Sequence, residues 1–342
     1  MSNKVRNIFF FIGMACVVVM ILTFKVSFVE LWHQICRARS WLIVIIGMWL
    51  LLYMMNAWTW QVIIKGSGPC QVSFWRLLKV TISGFALNYV TPVGLLGGEP
   101  YKIMEMKPYI GVQRASSSVV LFAMMHIFSH FWYWLTAVLL YLLFLPVGGV
   151  ASILLVCVTL FCAAGIYLFL KGYRNGMVVK LIASAGKLPG LKGWAQRFAV
   201  SHADDLAKID SQIASLHAQN KCSFYGSFFL EYFGRMLQSF EIFFMLLLFA
   251  DAPATGLTFI HAFIILAFTS WFANLLFFFP LQLGGREGGF AVSVAGMGMT
   301  GQVSMSISII CRVRELFWAL IGLLLIKIGT KGKTETKKDK TT

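Results

Sequence analysis

Carboxylates and guanidinium groups stand in this sequence where apolar runs should exclude them, and two of the carboxylates sit in the same local pattern. Thr91 to Lys102 reads TPVGLLGGEPYK, and Phe279 to Phe290 reads FPLQLGGREGGF. Aligned without a gap from Pro92 and Pro280, the two share that proline, a leucine (Leu95, Leu283), a glycine (Gly97, Gly285) and a glutamate (Glu99, Glu287). Proline has no N–H to donate, and paired glycines (Gly97 with Gly98, Gly284 with Gly285) are entropically costly in a helix, so each stretch interrupts the apolar helix before it. The backbone amides freed at such a break, with the partial positive charge of a helix N-terminus, suit a phosphate. The glutamate that follows can pair with a cation or take up a proton. Two ordinary surface turns would account for either stretch alone. Their repetition, once in each half of an apolar chain, points to a transporter-type binding site.

Other ionisable residues fall inside the spans. The run 223 to 250 carries Glu231, Arg235, Gln238 and Glu241, with the first three at i, i+4 and i+7 on one helical face. Glu231 and Arg235 either line a site or pair with each other, the latter being an economical way to bury both charges. The run 306 to 328 carries Arg312, Arg314 and Glu315, with Arg312 and Glu315 three apart on one side. The planar fork of arginine suits a phosphate, so Arg235, Arg286, Arg312 and Arg314 are candidates for a phosphorylated head group. As interfacial anchors, Arg312 and Arg314 would need no such ligand. His126 and His130 lie four apart amid Phe128, Phe131, Trp132 and Trp134. That spacing presents two imidazoles together, as a cavity-lining pair or as two metal ligands, but no HExxH and no third ligand accompany them, and no metal or cofactor is expected. Asn88 before the first break and Lys102 after it complete the candidate set.

The elements that must position these residues follow from composition. Of 342 residues, 59% are hydrophobic, against about 45–50% in soluble domains, which makes the chain an all-α polytopic membrane protein. The net charge of +16 fits lysines and arginines on the inner face and attraction to anionic lipids, with no need of a nucleic-acid partner. The seven cysteines show no CxxC spacing and read as small core residues. Spans are expected near 8–24, 41–64, 117–145, 147–170, 223–250, 257–279 and 306–328. The run Val80 to Leu96 is too polar and short for a full span. No small-residue cleavage pattern follows the first run in Lys25 to Glu30, so a retained helix is expected there.

Residues 1–170 thus form a first transmembrane half, 171–222 a connector, 223–328 a second half and 329–342 a disordered basic tail. In the connector, Leu206, Ile209, Ile213 and Leu216 share a helical face, with Trp194 and Phe198 upstream. It is an amphipathic helix on the inner surface, or a simple linker. The connector and the tail are basic and belong inside a bacterial-type cytoplasmic membrane, whereas the short acidic turn Asp251 to Gly256 belongs outside. Parity then requires the first broken run to dip in from the cytoplasm and 257–305 to start and end outside. The halves run in inverted topology with re-entrant helices. Arg37 and Arg39, placed outside, count against this scheme.

Taken together, TPVGLLGGEP, FPLQLGGREGGF, EYFGRMLQSFE and CRVRELFWALIGLLL make the chain resemble the flippase-like integral membrane family that includes the transmembrane region of lysylphosphatidylglycerol synthases. The resemblance covers nearly all of the chain. It implies a bundle with re-entrant helices and a cavity through which a lipid head group passes between leaflets, and it carries over Gly97, Gly98, Glu99, Arg235, Gly284, Gly285, Glu287 and Glu315 as site residues. Two departures stand out. The synthase members continue into a soluble aminoacyl-transfer domain and this chain stops soon after its last helix, so synthase activity is not expected. MMHIFSHFWYW occupies a place where the family resemblance leads one to expect an arginine or an acidic pair.

The expected function is translocation of a phospholipid or polyprenyl-phosphate-linked lipid. An intramembrane lipid-phosphate transferase, with Glu99 or Glu287 as base, and a scaffold for a separate lipid-modifying enzyme are the other classes. No nucleophile motif supports the transferase. Oligomeric state is not legible in the residues.

Overall fold

The structure, a computed structural model, describes residues 28–90, 97–174, 221–275 and 285–328, together with Asn7, Phe11, Asp204 and Ser211. Those residues fold into α1 (Phe28–Gly66), α2 (Phe74–Val90), α3 (Gly98–Ile110), α4 (Val112–Phe144), α5 (Gly149–Arg174), α6 (Lys221–Phe249), α7 (Gly256–Leu275), α8 (Gly285–Gly296) and α9 (Gly301–Lys327). Among the described residues, five helices are long and apolar enough to cross a membrane: α1, α4, α5, α6 and α7. At 27 residues α9 also has the length, but carries Arg312, Arg314 and Glu315 along it. The chain is an all-α polytopic membrane protein.

Boundaries differ from the sequence expectation where charged residues continue a helix. The expected span 41–64 is part of α1, which begins at Phe28 and kinks at Arg39, whose φ of 42° is unfavourable for a side-chain-bearing residue. Arg37, expected outside, has a partner within the bundle: its Nη2 donates to the Leu248 carbonyl at 3.4 Å, near the C-terminal end of α6, where carbonyls lack helical partners. The weak run from Val80 becomes α2, starting six residues earlier at Phe74. Helix α5 runs past the expected boundary at 170 to Arg174. Helix α4 stops at Phe144 because Leu145 precedes Pro146 and takes an extended conformation. The span 8–24, the apolar face of the connector with Trp194 and Phe198, and the tail from 329 lie outside the described residues.

Two helical hairpins position the glutamates. In the first, α2 and α3 run antiparallel. A Cβ on Gly98 would strike the Gly84 carbonyl and come 2.7 Å from the Asn88 side chain, so only glycine allows this approach. In the second, α7 and α8 pair likewise: a Cβ on Gly289 would lie 3.0 Å from Thr269 Cα. The returning arms, α3 and α8, are 13 and 12 residues long, well short of the roughly 20 needed to span a bilayer. Each is followed by a glycine in a left-handed conformation, Gly111 (φ 79°) and Gly298 (φ 74°), which turns the chain into the next long helix.

The same packing is made twice. α1 packs on α2, α2 on α3 and α3 on α4; α6 packs on α7, α7 on α8 and α8 on α9. Across the halves, α9 lies against α2 as α4 lies against α7. The residue offset that carries Glu99 onto Glu287 carries each of α1 to α4 onto α6 to α9. The equivalent helices α1 and α6 meet antiparallel, with Arg37 by Leu248, Trp49 by Glu241 and Val62 by Ser223. Helices α2 and α9 are also antiparallel, with Lys79 bonded to the Ile328 carbonyl, Ala86 beside Gly322 and Tyr89 by Arg312.

Lipid tails are as apolar as leucine, so close packing and internal hydrogen bonds, not exclusion from water, hold such helices together. Two buried apolar clusters form, each drawing on both halves: one around Trp60, Leu87, Met125 and Leu323, the other around Tyr133, Ile242, Phe263, Phe290 and Ile307. Ile153, Val156, Leu160 and Leu168 on α5 are exposed, as suits a helix facing hydrocarbon.

Candidate functional site

Arg286 and Glu287 lie in the first turn of α8, facing the middle of α9. On α9, Arg312 and Glu315 share a face, and Arg314 turns toward α6 and α1. Arg312 donates from Nη2 and Nε to one oxygen of Glu287, at 2.7 and 3.1 Å. Its Nη1 lies 3.5 Å from Glu315 and 3.4 Å from the Tyr89 hydroxyl on α2. Arg286 pairs with Glu315. Arg314 binds Glu241 of α6 through two parallel bonds, Nε to Oε1 at 2.9 Å and Nη2 to Oε2 at 3.1 Å. Trp49 of α1 donates to the same carboxylate at 3.0 Å and lies under the guanidinium, 3.7 Å from its ring centre.

Three arginines are thus balanced by three glutamates, which is what permits six charges inside a bundle where each alone would cost about 2.5–3.5 kcal/mol on insertion scales. The pairs differ in access. Arg314 and Glu241 are both 1% exposed, whereas the Glu287 side chain is 36% exposed. Glu287 opens on a cleft of about 280 Å³ between α8 and α9, lined also by Ser304 and Ser308 among apolar side chains.

The first hairpin builds a second cluster with α4 and α6. Asn88, near the end of α2, accepts the Gly98 N–H at 2.8 Å and donates to Glu99 at 3.1 Å. Lys102, one turn along α3, donates to the same Glu99 oxygen at 3.0 Å and stands over the Phe122 ring. The other oxygen of Glu99 is buried without a hydrogen-bond partner among the described residues. On α4, His126 Nδ1 lies 2.8 Å from Glu231 Oε2, and His130 Nδ1 lies 3.0 Å from the His126 carbonyl. Arg235 donates to Ser129 Oγ at 2.9 Å and to the His126 carbonyl at 3.2 Å.

Of the two readings open for Glu231 and Arg235, mutual pairing is not made among the described residues: both side chains reach across to α4 instead of along α6. Gln238, expected on the same face, is half-buried and makes no side-chain hydrogen bond among the described residues. Pro92, Pro280 and Gly284 lie outside the described residues. The two clusters meet on α2, where Asn88 holds Glu99 and its neighbour Tyr89 reaches Arg312.

Sequence reasoning did not single out Trp49, Tyr89 or Ser129, nor give Glu241 a role. Glu241 had a signal, since an intramembrane carboxylate requires a cation and Arg314 offered one. Trp49 and Tyr89 had none, because an aromatic in an apolar run reads equally well as lipid-facing.

The family model described as the lysylphosphatidylglycerol synthase TM region matches residues 10–322. No curated protein matches the chain, and no solved structure does. With that match over most of its length, the chain belongs to the family of lysylphosphatidylglycerol synthase transmembrane regions.

Proposed function

We propose that this member of the family moves a phospholipid or lipid-linked phosphate between the leaflets of a cytoplasmic membrane, through a path formed where its two hairpins meet. In this reading the hairpins are re-entrant, the halves form an inverted repeat, and the C-terminus is cytoplasmic. The observation that carries it is the antiparallel meeting of the equivalent helices α1 and α6, each followed by a hairpin whose returning arm carries a glutamate in its first turn. Helices related in that way enter the bilayer in opposite senses, so their hairpins open to opposite faces, as in many transporters.

The charged clusters supply the recognition. A phosphate presents the same planar edge of acceptors to an arginine fork as a carboxylate does. A head group arriving from the Glu287 cleft takes the place of that carboxylate on Arg312, and Glu287 turns to the cationic or hydroxyl part of the head group. Exchanging one acceptor for another keeps the buried guanidinium paired throughout, which avoids the main barrier to moving charge through hydrocarbon. The second cluster, around Glu99 and Lys102, offers the same kind of exchange from the other side.

Purified protein in vesicles containing fluorescent phosphatidylglycerol tests this reading. Accelerated crossing of the labelled lipid, recovered with unchanged mass, is expected. A lipid chemically altered without crossing would transfer the protein to the transferase class.

A further inference from the structure

Glu231 is 4% exposed, and its two oxygens are treated differently. Oε2 lies against His126 Nδ1, while Oε1 is buried with no hydrogen-bond partner among the described residues. Arg235, one turn away, directs its Nε and Nη2 to Ser129 and the His126 carbonyl. His126 has 46% of its side chain open. A carboxylate shut away in this manner, hydrogen-bonded to a half-open imidazole, gains a directly bonded counter-charge only when the imidazole carries a second proton.

The surrounding charges are already committed. From α3, Lys102 is bonded to Glu99. From α4, His130 is held on the His126 carbonyl, and Tyr133 bonds Ser239 and the Phe263 carbonyl. From α9, Arg312, Arg314 and Glu315 are engaged with Glu287, Glu241 and Arg286. α7 contributes His261, and neither α1 between 41 and 64 nor α5 between 150 and 170 carries a charged residue. With His126 neutral, Lys102 and Arg235 balance Glu99 and Glu231. One proton on His126 leaves the cluster with a single positive charge, which a lipid phosphate neutralises.

We propose that His126 and Glu231 form one proton-carrying site, and that a proton travels with each anionic head group. Resting on the translocation reading above, this names its coupling ion. With Nδ1–H given to Glu231, the proton is taken from the open side on Nε2 and returned there after the head group leaves. Proton and phosphate each raise the affinity for the other, because each offsets the charge that the other brings into a low-dielectric site.

The test uses vesicles holding fluorescent phosphatidylglycerol in one leaflet and a pH-sensitive dye in the lumen. Wild-type protein is expected to shift lumenal pH in proportion to lipid crossed, and its crossing rate to change by up to about tenfold per pH unit, as for a single protonation. His126→Gln is expected to abolish both the proton signal and that pH dependence. Lipid crossing by wild-type protein with no proton signal overturns the coupling and leaves translocation standing, and so does an unchanged pH dependence in His126→Gln. Failure of the folded wild-type protein to move lipid at any pH overturns both.

Discussion

Arg312 and Glu287 meet across the α8–α9 interface at 2.7 Å, one side chain 4% exposed and the other 36%. A buried cation held by a half-open carboxylate differs from the neighbouring pair of Arg314 and Glu241, in which both partners are shut away. The first has an exit for one partner, and the second has none. On this reading Arg314, Glu241 and Trp49 fasten α9 to α6 and α1, and Arg312 and Glu287 do the exchanging.

Glu241→Gln removes one member of a fully buried pair and is expected to destabilise the protein by about 3–5 kcal/mol. Glu287→Gln is expected to cost less, because the carboxylate removed is 36% exposed and Arg312 keeps Glu315 at 3.5 Å. Thermal unfolding in detergent, followed by loss of the monodisperse peak, checks the order.

Gly322→Ala is expected to push α9 from α2, because its Cβ would lie 2.6 Å from the Ile82 carbonyl oxygen. Overpacking of this kind costs about 1–3 kcal/mol. Gly47→Ala is the control: nothing lies within 4 Å of its Cβ, and alanine in a helix gains about 0.5–1 kcal/mol over glycine. The two melting temperatures should move in opposite directions.

Arg114→Lys is expected to loosen the turn after α1. Arg114 donates to the carbonyls of Ile64, Gly68 and Pro69 and to the Ser67 hydroxyl, a set that one ammonium lacks the geometry to reproduce. Limited proteolysis between residues 65 and 73 should speed up while the hairpins stay intact.

Asn88→Asp sets a carboxylate where the amide donates to Glu99 at 3.1 Å. Like charges at that distance repel, so at neutral pH crossing is expected to fall by about tenfold or more. Acidification places a shared proton between the two carboxylates and restores a donor, so the lost rate should return as pH falls. A variant whose rate is insensitive to acid would separate Asn88 from the holding of Glu99.

Much of this arrangement could be read from residue types. Proline and paired glycine stand at the junctions between α2 and α3 and between α7 and α8, and apolar runs marked the described spans α1, α4, α5, α6 and α7. The start of α1 was hidden because Glu30, His33, Arg37 and Arg39 make it look like a loop. Local spacing left Glu231 and Arg235 undecided: four residues apart on one helix, they have the geometry to pair, yet His126 and Ser129 on α4 offer partners that only the tertiary packing reveals. The link between the two charged clusters through Asn88 and Tyr89 was likewise beyond local pattern, since it depends on α2 lying against both α3 and α9.

The central claim is that the Arg312 and Glu287 exchange carries a lipid head group. Its most direct measurement is the rate at which fluorescent phosphatidylglycerol crosses vesicles reconstituted with wild-type protein, Arg312→Gln or Glu287→Gln, each verified as folded. Wild-type protein should accelerate crossing, and both variants should fall to the protein-free rate. Crossing at the wild-type rate in folded Arg312→Gln would contradict the claim.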